Sequence, residues 1–202
     1  MSDKPIVLID PGHGGKNSGA VYGGLKEKDI NMEISEWLCD CLESYGINAP
    51  LTRSGDYHIS LSNRASMAKM IDADLLVSIH CNAFHHPSAN GMEVFYNLYN
   101  ESRILAAKIT SHFGAAWQEG LSKLKPRDIK TGNHLKVLRK APCPAVLVEC
   151  FFMSNPGDMT LYRSTPTQFH RFMSINLCEG IVGHFEAAKE NSADSGVWVS
   201  PV

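Results

Sequence analysis

Two short apolar runs in this chain each lead directly into a histidine. Residues 75–79 are followed by His80, and residues 5–10 lead through a glycine-rich turn into His13. Apolar runs of this length, bounded by turn residues, are typical of strands buried in a sheet. In an α/β sheet the carboxyl ends of the strands open into the crevice where ligands bind. We therefore predict that both imidazoles belong to one site at the edge of a sheet.

The rest of the chain mostly alternates strands with helices, which is the pattern of an α/β fold. Strands are predicted at 5–10, 47–51, 75–80, 92–96, 136–139 and 145–152, and helices at 29–45, 61–71, 102–117 and 166–188. In the first helix Asp29 is the predicted N-cap and Gly46 the C′ residue. Its predicted buried stripe is Ile30, Ile34, Trp37, Leu38 and Cys41.

These elements predict one α/β domain over residues 1–188, with a mostly parallel, twisted mixed sheet and helices on both faces. Residues 189–202 are polar and lack periodicity at their start, so we expect a linker or tail there. With 202 residues and 44% hydrophobic content, the chain can bury one sizeable core.

Composition excludes several classes of protein. The 19 basic and 21 acidic residues give a net charge of -2, without a basic cluster, so nucleic acid is not an expected partner. No stretch approaches the roughly 20 apolar residues of a membrane-spanning helix, and no signal peptide is recognisable, so we expect no membrane insertion. The six scattered cysteines favour reduced, mostly buried thiols.

A catalytic zinc ion takes three protein ligands, histidines and carboxylates among them, and keeps a fourth position open for water. His13, His80 and Glu27 meet that requirement and are the predicted ligands of one zinc ion. Each has an ordinary alternative: either histidine could be a hydrogen-bonded structural residue, and Glu27 a solvated charge at a helix start. A phosphate-binding loop does not fit, because Lys16 is followed by Asn17 instead of Ser or Thr.

Glu149 lies inside the apolar run 145–152, where a carboxylate is costly to bury unless it is paired or used chemically. One interpretation is a buried ion pair with an arginine such as Arg139. The other is a general base with a raised pKa beside a zinc-activated water, which makes Glu149 the candidate catalytic residue. Asp10 is a candidate acceptor that orients His13.

The ordered motifs of the chain resemble those of the zinc-dependent N-acetylmuramoyl-L-alanine amidases of the amidase 3 family. The matching segments are Ile9-Asp10-Pro11-Gly12-His13-Gly14-Gly15 with Ser18-Gly19-Ala20, Leu25-Lys26-Glu27-Lys28-Asp29-Ile30-Asn31, Leu51-Thr52-Arg53 with Leu61-Ser62-Asn63-Arg64, Ser78-Ile79-His80-Cys81-Asn82-Ala83, and Val137-Leu138-Arg139 with Pro144-Ala145-Val146-Leu147-Val148-Glu149. The resemblance implies zinc held by His13, Glu27 and His80, with Glu149 as catalytic carboxylate. It also implies cleavage of the amide between the lactyl group of N-acetylmuramic acid and L-alanine of the stem peptide.

On this reading the partner is peptidoglycan, with Asn82 and Arg139 as candidate substrate-binding residues. We expect a monomer, with a cell-wall-binding module as a candidate extension beyond the C-terminus. The related amidases of cell division carry a long helical insertion over the zinc site between the second histidine and the catalytic glutamate. The segment between Asn82 and Ala145 has no room for one here, so we expect an open site.

The absence of a recognisable signal favours a phage endolysin that accumulates in the cytoplasm and reaches the wall through a holin. The alternative is an extracellular catalytic domain from a secreted autolysin. Two other functions stay in view, a zinc hydrolase that cuts a different bond and an inactive wall-binding module, although the latter would require loss of a ligand or of Glu149. An α/β protein with incidental histidines would have to match all four site residues by chance.

Overall fold

The computed structural model of the chain describes residues 4–118 and 124–194. In chain order its elements are β1 (Val7–Pro11), β2 (Val21–Tyr22), β3 (Leu25–Lys26), α1 (Glu27–Ser44), α2 (Leu61–Met70), β4 (Leu75–Asn82), β5 (Glu93–Tyr96), α3 (Asn100–Gln118), β6 (Lys130–Thr131), α4 (Lys136–Lys140), β7 (Ala145–Phe152), α5 (Pro156–Ser164) and α6 (Pro166–Asp194).

Five of the strands form a mixed sheet in the order β1-β4-β7-β5-β6. The β1–β4, β4–β7 and β5–β6 pairs are parallel, whereas β5 runs antiparallel to β7. Strands β2 and β3 form a separate hairpin that leads into α1. The predicted single α/β domain with a mostly parallel mixed sheet is confirmed.

Helices cover both faces of the sheet, as predicted. Helices α1, α3 and α6 pack together over one face, where the core includes Ile79, Val148 and Leu177. Helices α2 and α4 pack over the other face, against Leu76 and Leu147. Because alternate residues of a strand point to opposite faces, His80 and Glu149 project on the α2 and α4 side of the sheet.

The predicted strand 47–51 is reduced to two isolated parallel bridges along β1, Asn48 with Ile6 and Leu51 with Ile9. Pro50 lies between the bridges and has no N–H to donate, so a regular ladder cannot continue there. The predicted strand 136–139 is wrong, since the segment forms α4. Val137 and Leu138 are both buried in the same cluster, and consecutive side chains of a strand could not share one face.

Helix α1 begins two residues before the predicted cap. Its N-cap is Lys26, which makes no side-chain cap, and Glu27 and Asp29 both lie in the first turn, where negative charge is favourable. The C′ residue Gly46 has the predicted left-handed backbone, with φ 76°. Trp37 is exposed instead of buried.

Helix α6 continues to Asp194, six residues past the predicted end at 188. The segment contains no proline or glycine before Gly196, so nothing in residues 189–194 interrupts the helix. The rest of the predicted linker lies outside the described residues. The short helix α5 was not predicted, although Asn155 followed by Pro156 is a typical helix start. In the structure Asn155 Oδ1 accepts a hydrogen bond from the Asp158 N–H and caps the helix.

None of the helices in the two described ranges is long and apolar enough to cross a membrane. All six cysteines are free thiols, and five of them are buried.

Leu76→Ala should lower the free energy of unfolding by about 2–5 kcal/mol, because Leu76 is fully buried and its removal leaves a cavity under α2 and α4. Leu98→Ala is the matched control, since Leu98 is 81% exposed, and it should have little effect. Chemical denaturation of both variants measures the difference. Equal losses in the two variants would contradict the two-layer packing described above.

Candidate metal centre

His13 follows β1 in a turn that two buried arginines hold in place. Its backbone is left-handed, with φ 61°, which is uncommon for a residue with a side chain. Its carbonyl accepts a hydrogen bond from Arg64 Nη2. Arg53 donates from Nε to Pro11 O at 2.9 Å and from Nη2 to Gly12 O at 3.0 Å. The guanidinium groups therefore fix the turn that presents the His13 ring.

The predicted role of Asp10 as the acceptor that orients His13 is wrong. Among the described hydrogen bonds none joins these two residues, and the buried Asp10 carboxylate instead accepts from three other side chains. These donors are Thr52 Oγ1 at 2.6 Å, Arg64 Nη1 at 2.6 Å and Ser78 Oγ at 2.7 Å. Asp10 thus neutralises Arg64 beneath the turn and reaches His13 only through that arginine.

Asn17 makes the contact that was expected of Asp10. Its Oδ1 lies 3.0 Å from His13 Nδ1 and also accepts from the Gly19 N–H at 3.2 Å. An acceptor at Nδ1 favours the tautomer in which Nε2 carries the free lone pair. Sequence reasoning missed this residue, although an asparagine four residues after the histidine in a glycine-rich turn was an available signal.

The structure brings together the three predicted metal ligands. Glu27 Oε1 lies 3.1 Å from His13 Nε2 and 2.9 Å from His80 Nδ1. The imidazole rings are edge to face, with centroids 4.9 Å apart and an interplanar angle of 78°. One donor atom from each residue falls within 4.8 Å of the other two. The three donors come from the turn after β1, the start of α1 and the end of β4.

Two glycines leave the space that this cluster occupies. A Cβ on Gly12 would lie 2.3 Å from the His80 ring. A Cβ on Gly19 would lie 2.3 Å from Glu27 Oε2, and Gly19 also has φ 65°. A side chain at either position would therefore displace a predicted ligand.

Hydrogen bonds keep the Glu27 carboxylate ionised. Burial alone would raise the pKa of Glu27, but hydrogen bonds to His13 and His80 hold it well below its usual range. The same carboxylate accepts from the backbone N–H groups of Ala20, at 2.9 Å, and Cys81, at 3.1 Å. Burial would lower the pKa of His80, yet the hydrogen bond with Glu27 raises it overall. The pocket is thus built around a fixed negative charge with two imidazoles directed at it.

Glu149 lies on β7 directly across from His80 in the sheet register. Its Oε2 is buried and has no hydrogen-bond partner among the described residues. Burial raises the pKa of Glu149 to about 7, and the charges of Glu27 and Glu93 act in the same direction, while His80 opposes them. The alternative of an ion pair with Arg139 is wrong, since Arg139 is exposed on α4 and the described ion pairs do not join the two residues. A carboxyl group with this pKa can exchange a proton near neutral pH.

Asn82 lies at the end of β4, two residues past His80, where a substrate-binding role was predicted. Its Nδ2 donates to Glu93 Oε2 at 3.3 Å. Glu93 faces Glu149 across the β5–β7 pair and carries ion pairs with Arg127 and Lys130. Sequence reasoning did not single out Glu93, Arg127 and Lys130, because nothing in the sequence around β5 and in residues 127–130 distinguishes them from surface charges.

The site thus holds two imidazoles and a carboxylate beside a second carboxylate, Glu149, whose Oε2 has no partner in the described part of the chain. Groups of these types are found together in zinc hydrolases. A sequence profile of the amidase 3 family, described as N-acetylmuramoyl-L-alanine amidase, matches residues 7–181. The chain belongs to this family. Both the predicted family and the predicted class of enzyme, a peptidoglycan amidase, are thereby confirmed.

Named relatives and solved structures agree with this membership. The chain is 30% identical to the N-acetylmuramoyl-L-alanine amidase AmiA of Escherichia coli, over 95% of this chain and 80% of AmiA. It is 36% identical to the amidase LytC of Bacillus subtilis, over 75% of this chain but only 30% of LytC. The solved structure of the amidase AmiC2 of Nostoc punctiforme superimposes with a TM-score of 0.83 at 34% identity, covering 92% of this chain and 99% of that one.

Asn17→Leu should weaken zinc binding about 10–100-fold, because the substitution removes the acceptor that orients His13. Asn17→Asp keeps an acceptor and should retain the affinity. Competition against a chromophoric chelator measures both. Because Asn17 is exposed, the metal-free melting temperature should change little and serves as the control for folding. Unchanged zinc affinity in Asn17→Leu would contradict the role assigned to Asn17.

In the metal-free protein, Glu149→Gln should raise the melting temperature at pH 8 and leave it nearly unchanged at pH 5. The folded-state pKa of about 7 exceeds the ordinary value of 4.5, so the wild type loses stability as pH rises between these values. Glutamine removes the buried charge and with it that loss. The exposed Glu43→Gln is the control and should follow the wild type. Parallel pH profiles for all three proteins would show that Glu149 is not desolvated as described.

Proposed function

We propose that the chain hydrolyses the amide between the lactyl group of N-acetylmuramic acid and L-alanine of the stem peptide, with one zinc ion held by His13, Glu27 and His80. The observation that carries this proposal is the meeting of these three donors beside Glu149, whose buried Oε2 has no hydrogen-bond partner among the described residues. The family match supplies the bond class, since its description names the same amidase activity.

The residues present fit a zinc ion. Two imidazole nitrogens and one carboxylate oxygen form a three-ligand set that leaves a position for water or substrate. The backbone N–H groups of Ala20 and Cys81 donate to Glu27 and stabilise its ionised carboxylate, and Asn17 favours the tautomer in which His13 Nε2 can bind a metal. When bound, zinc supplies Lewis-acid polarisation of the amide carbonyl and makes water a better nucleophile.

Glu149 would act as both base and acid. Its carboxylate takes a proton from the water that attacks the carbonyl carbon, and the resulting carboxylic acid gives that proton to the leaving nitrogen of L-alanine. The C–N bond breaks and a lactyl carboxylate and a free amine are released. In the metal-free protein, burial raises the pKa of Glu149 to about 7. A bound zinc ion would lower this pKa and so favour the carboxylate that accepts the first proton.

We further propose that the site acts without an activator and that the chain works as a monomer. Solvent reaches the metal site, since about a quarter of the His13 side chain is exposed. All four site residues come from one chain. The same proposal includes substrate contacts by Asn82 and Arg139 and an additional wall-binding module. It also includes the route to the wall, either as a phage endolysin or as a secreted autolysin.

The rival with the strongest claim is a zinc hydrolase of the same architecture that cuts a different bond. The donor set and Glu149 would serve peptide or acetamide hydrolysis equally well. Product analysis distinguishes them, because only the proposed reaction releases stem peptides with a free L-alanine amine from intact glycan strands.

Purified peptidoglycan digested by the chain should yield free stem peptides beginning in L-alanine, detected by mass spectrometry. Chelator should abolish this release and added zinc restore it. Glu149→Gln should retain zinc but lose at least about 100-fold in rate, because general acid–base catalysis contributes about 10²–10⁴-fold. The control Glu43→Gln changes the same functional group at an exposed site and should keep the rate. Products that retain the lactyl–alanine bond would overturn the proposed reaction.

A further inference from the structure

The turn that carries His13 has a backbone that the rest of the fold must hold in place. His13, Gly14 and Gly15 are three consecutive residues with positive φ, at 61°, 126° and 57°. Backbone of this kind is sparsely populated and persists only where its surroundings fix it. Arg53 and Arg64 hold carbonyl groups at the start of the turn. A different pair of side chains holds its far end, at Gly15.

Lys28 and Asp56 bind both backbone polar groups of Gly15. Lys28 Nζ donates to Gly15 O at 3.0 Å, and Asp56 Oδ1 accepts from the Gly15 N–H at 2.7 Å. The two side chains also pair with each other, since Lys28 Nζ lies 2.5 Å from Asp56 Oδ2. This closed set of three contacts, the Gly15 clamp, fixes the end of the turn from two sides.

The Gly15 clamp joins the segments that carry two of the proposed metal ligands. Lys28 follows Glu27 in the first turn of α1, and Gly15 lies two residues after His13. A shift of Gly15 relative to α1 would therefore change the separation of His13 from Glu27. Lys28 is only 7% exposed, and a buried lysine is uncommon and costly unless it is paired. Because the Asp56 side chain is mostly exposed, the ion pair by itself adds little stability.

We propose that Lys28 and Asp56 are positioning residues that hold His13 against Glu27 for metal binding, and this inference rests on the zinc site proposed above. They act through the backbone at Gly15. The turn that presents the His13 ring is thereby fixed to the helix that presents the Glu27 carboxylate.

Two other roles for the pair predict different results. If only charge mattered, removing the positive charge of Lys28 beside a cation site should strengthen metal binding, and removing Asp56 should weaken it. If the pair served only folding, either loss would lower the melting temperature and leave the metal affinity unchanged. The Gly15 clamp predicts weaker metal binding in both cases, since either loss frees Gly15.

The zinc affinities of Lys28→Met and Asp56→Ala, made in the full chain and measured by competition with a chromophoric chelator, distinguish these roles. Both variants should bind zinc about tenfold more weakly than the wild type, as expected when the support of a metal ligand is lost. The double variant should bind little more weakly than either single variant, because both changes open the same clamp.

The matched control is Lys26→Met, which makes the same substitution on the other side of Glu27, where the lysine is exposed. It removes a positive charge near the site and leaves the Gly15 clamp intact. Its zinc affinity should equal that of the wild type or be slightly higher. Metal-free melting temperatures report folding, and the exposed position of Asp56 keeps the test available if Lys28→Met does not fold.

Cobalt(II) in place of zinc gives a second measurement that a role in folding alone would not change. The visible absorption of bound cobalt(II) depends on the geometry of its ligands. The spectra of Lys28→Met and Asp56→Ala should therefore both differ from that of the wild type, whereas the spectrum of Lys26→Met should match it.

Unchanged zinc affinity and an unchanged cobalt spectrum in Asp56→Ala would overturn the positioning role, as would tighter zinc binding by Lys28→Met. The outcome is separable from that of the amidase reaction, because binding is measured without substrate. Release of stem peptides by the wild type, with normal zinc affinity in both variants, would support the reaction and contradict the positioning role. Weaker zinc binding in both variants of a chain that leaves the lactyl–alanine bond intact would support the positioning role and contradict the reaction. A wild type that binds no zinc would contradict both.

Discussion

The carboxylate of Glu27 is the interaction on which the site depends. It lies at about the same distance from His13 and His80, and it also accepts hydrogen bonds from the backbone N–H groups of Ala20, just before β2, and Cys81 on β4. The three proposed ligands lie far apart in the sequence, and this one side chain connects the segments that carry them. Its negative charge is what makes the pocket suitable for a cation instead of a neutral ligand.

The register of the sheet arranges the rest of the chemistry. His80, Glu149 and Glu93 occupy directly opposed positions on three neighbouring strands, so their side chains project on the same face in a row. The row passes from a proposed metal ligand to a proposed proton-transfer group and then to a carboxylate paired with two cations. Desolvation keeps the pKa of Glu149 high, while Arg127 and Lys130 compensate the charge of Glu93. Glu149 and Glu93 are neighbours, but their different surroundings keep the pKa of Glu149 high and pair Glu93 with cations.

Much of this arrangement could be predicted from the sequence, because it follows from strong local patterns. The apolar runs that contain His80 and Glu149 clearly indicate buried strands, and the glycine-rich turn after β1 predicted an uncovered histidine. The predictions that were wrong concern residues whose decisive contacts are with distant segments of the chain. Asp10 pairs with Arg64, 54 residues away, so its proximity to His13 in sequence was misleading. Residues 136–139 place two consecutive apolar residues between two cations, a pattern too short to distinguish a strand from a helix. The burial of both Val137 and Leu138 in one cluster identifies the helix.

The central claim is that His13, Glu27 and His80 bind one zinc ion beside Glu149. Anomalous diffraction at the zinc absorption edge, from crystals of the zinc-loaded chain, tests this most directly. The account predicts a single strong peak in contact with all three side chains, with Glu149 next to it but not among the ligands. A peak bound elsewhere, or no peak at this cluster in zinc-saturated crystals, would contradict it.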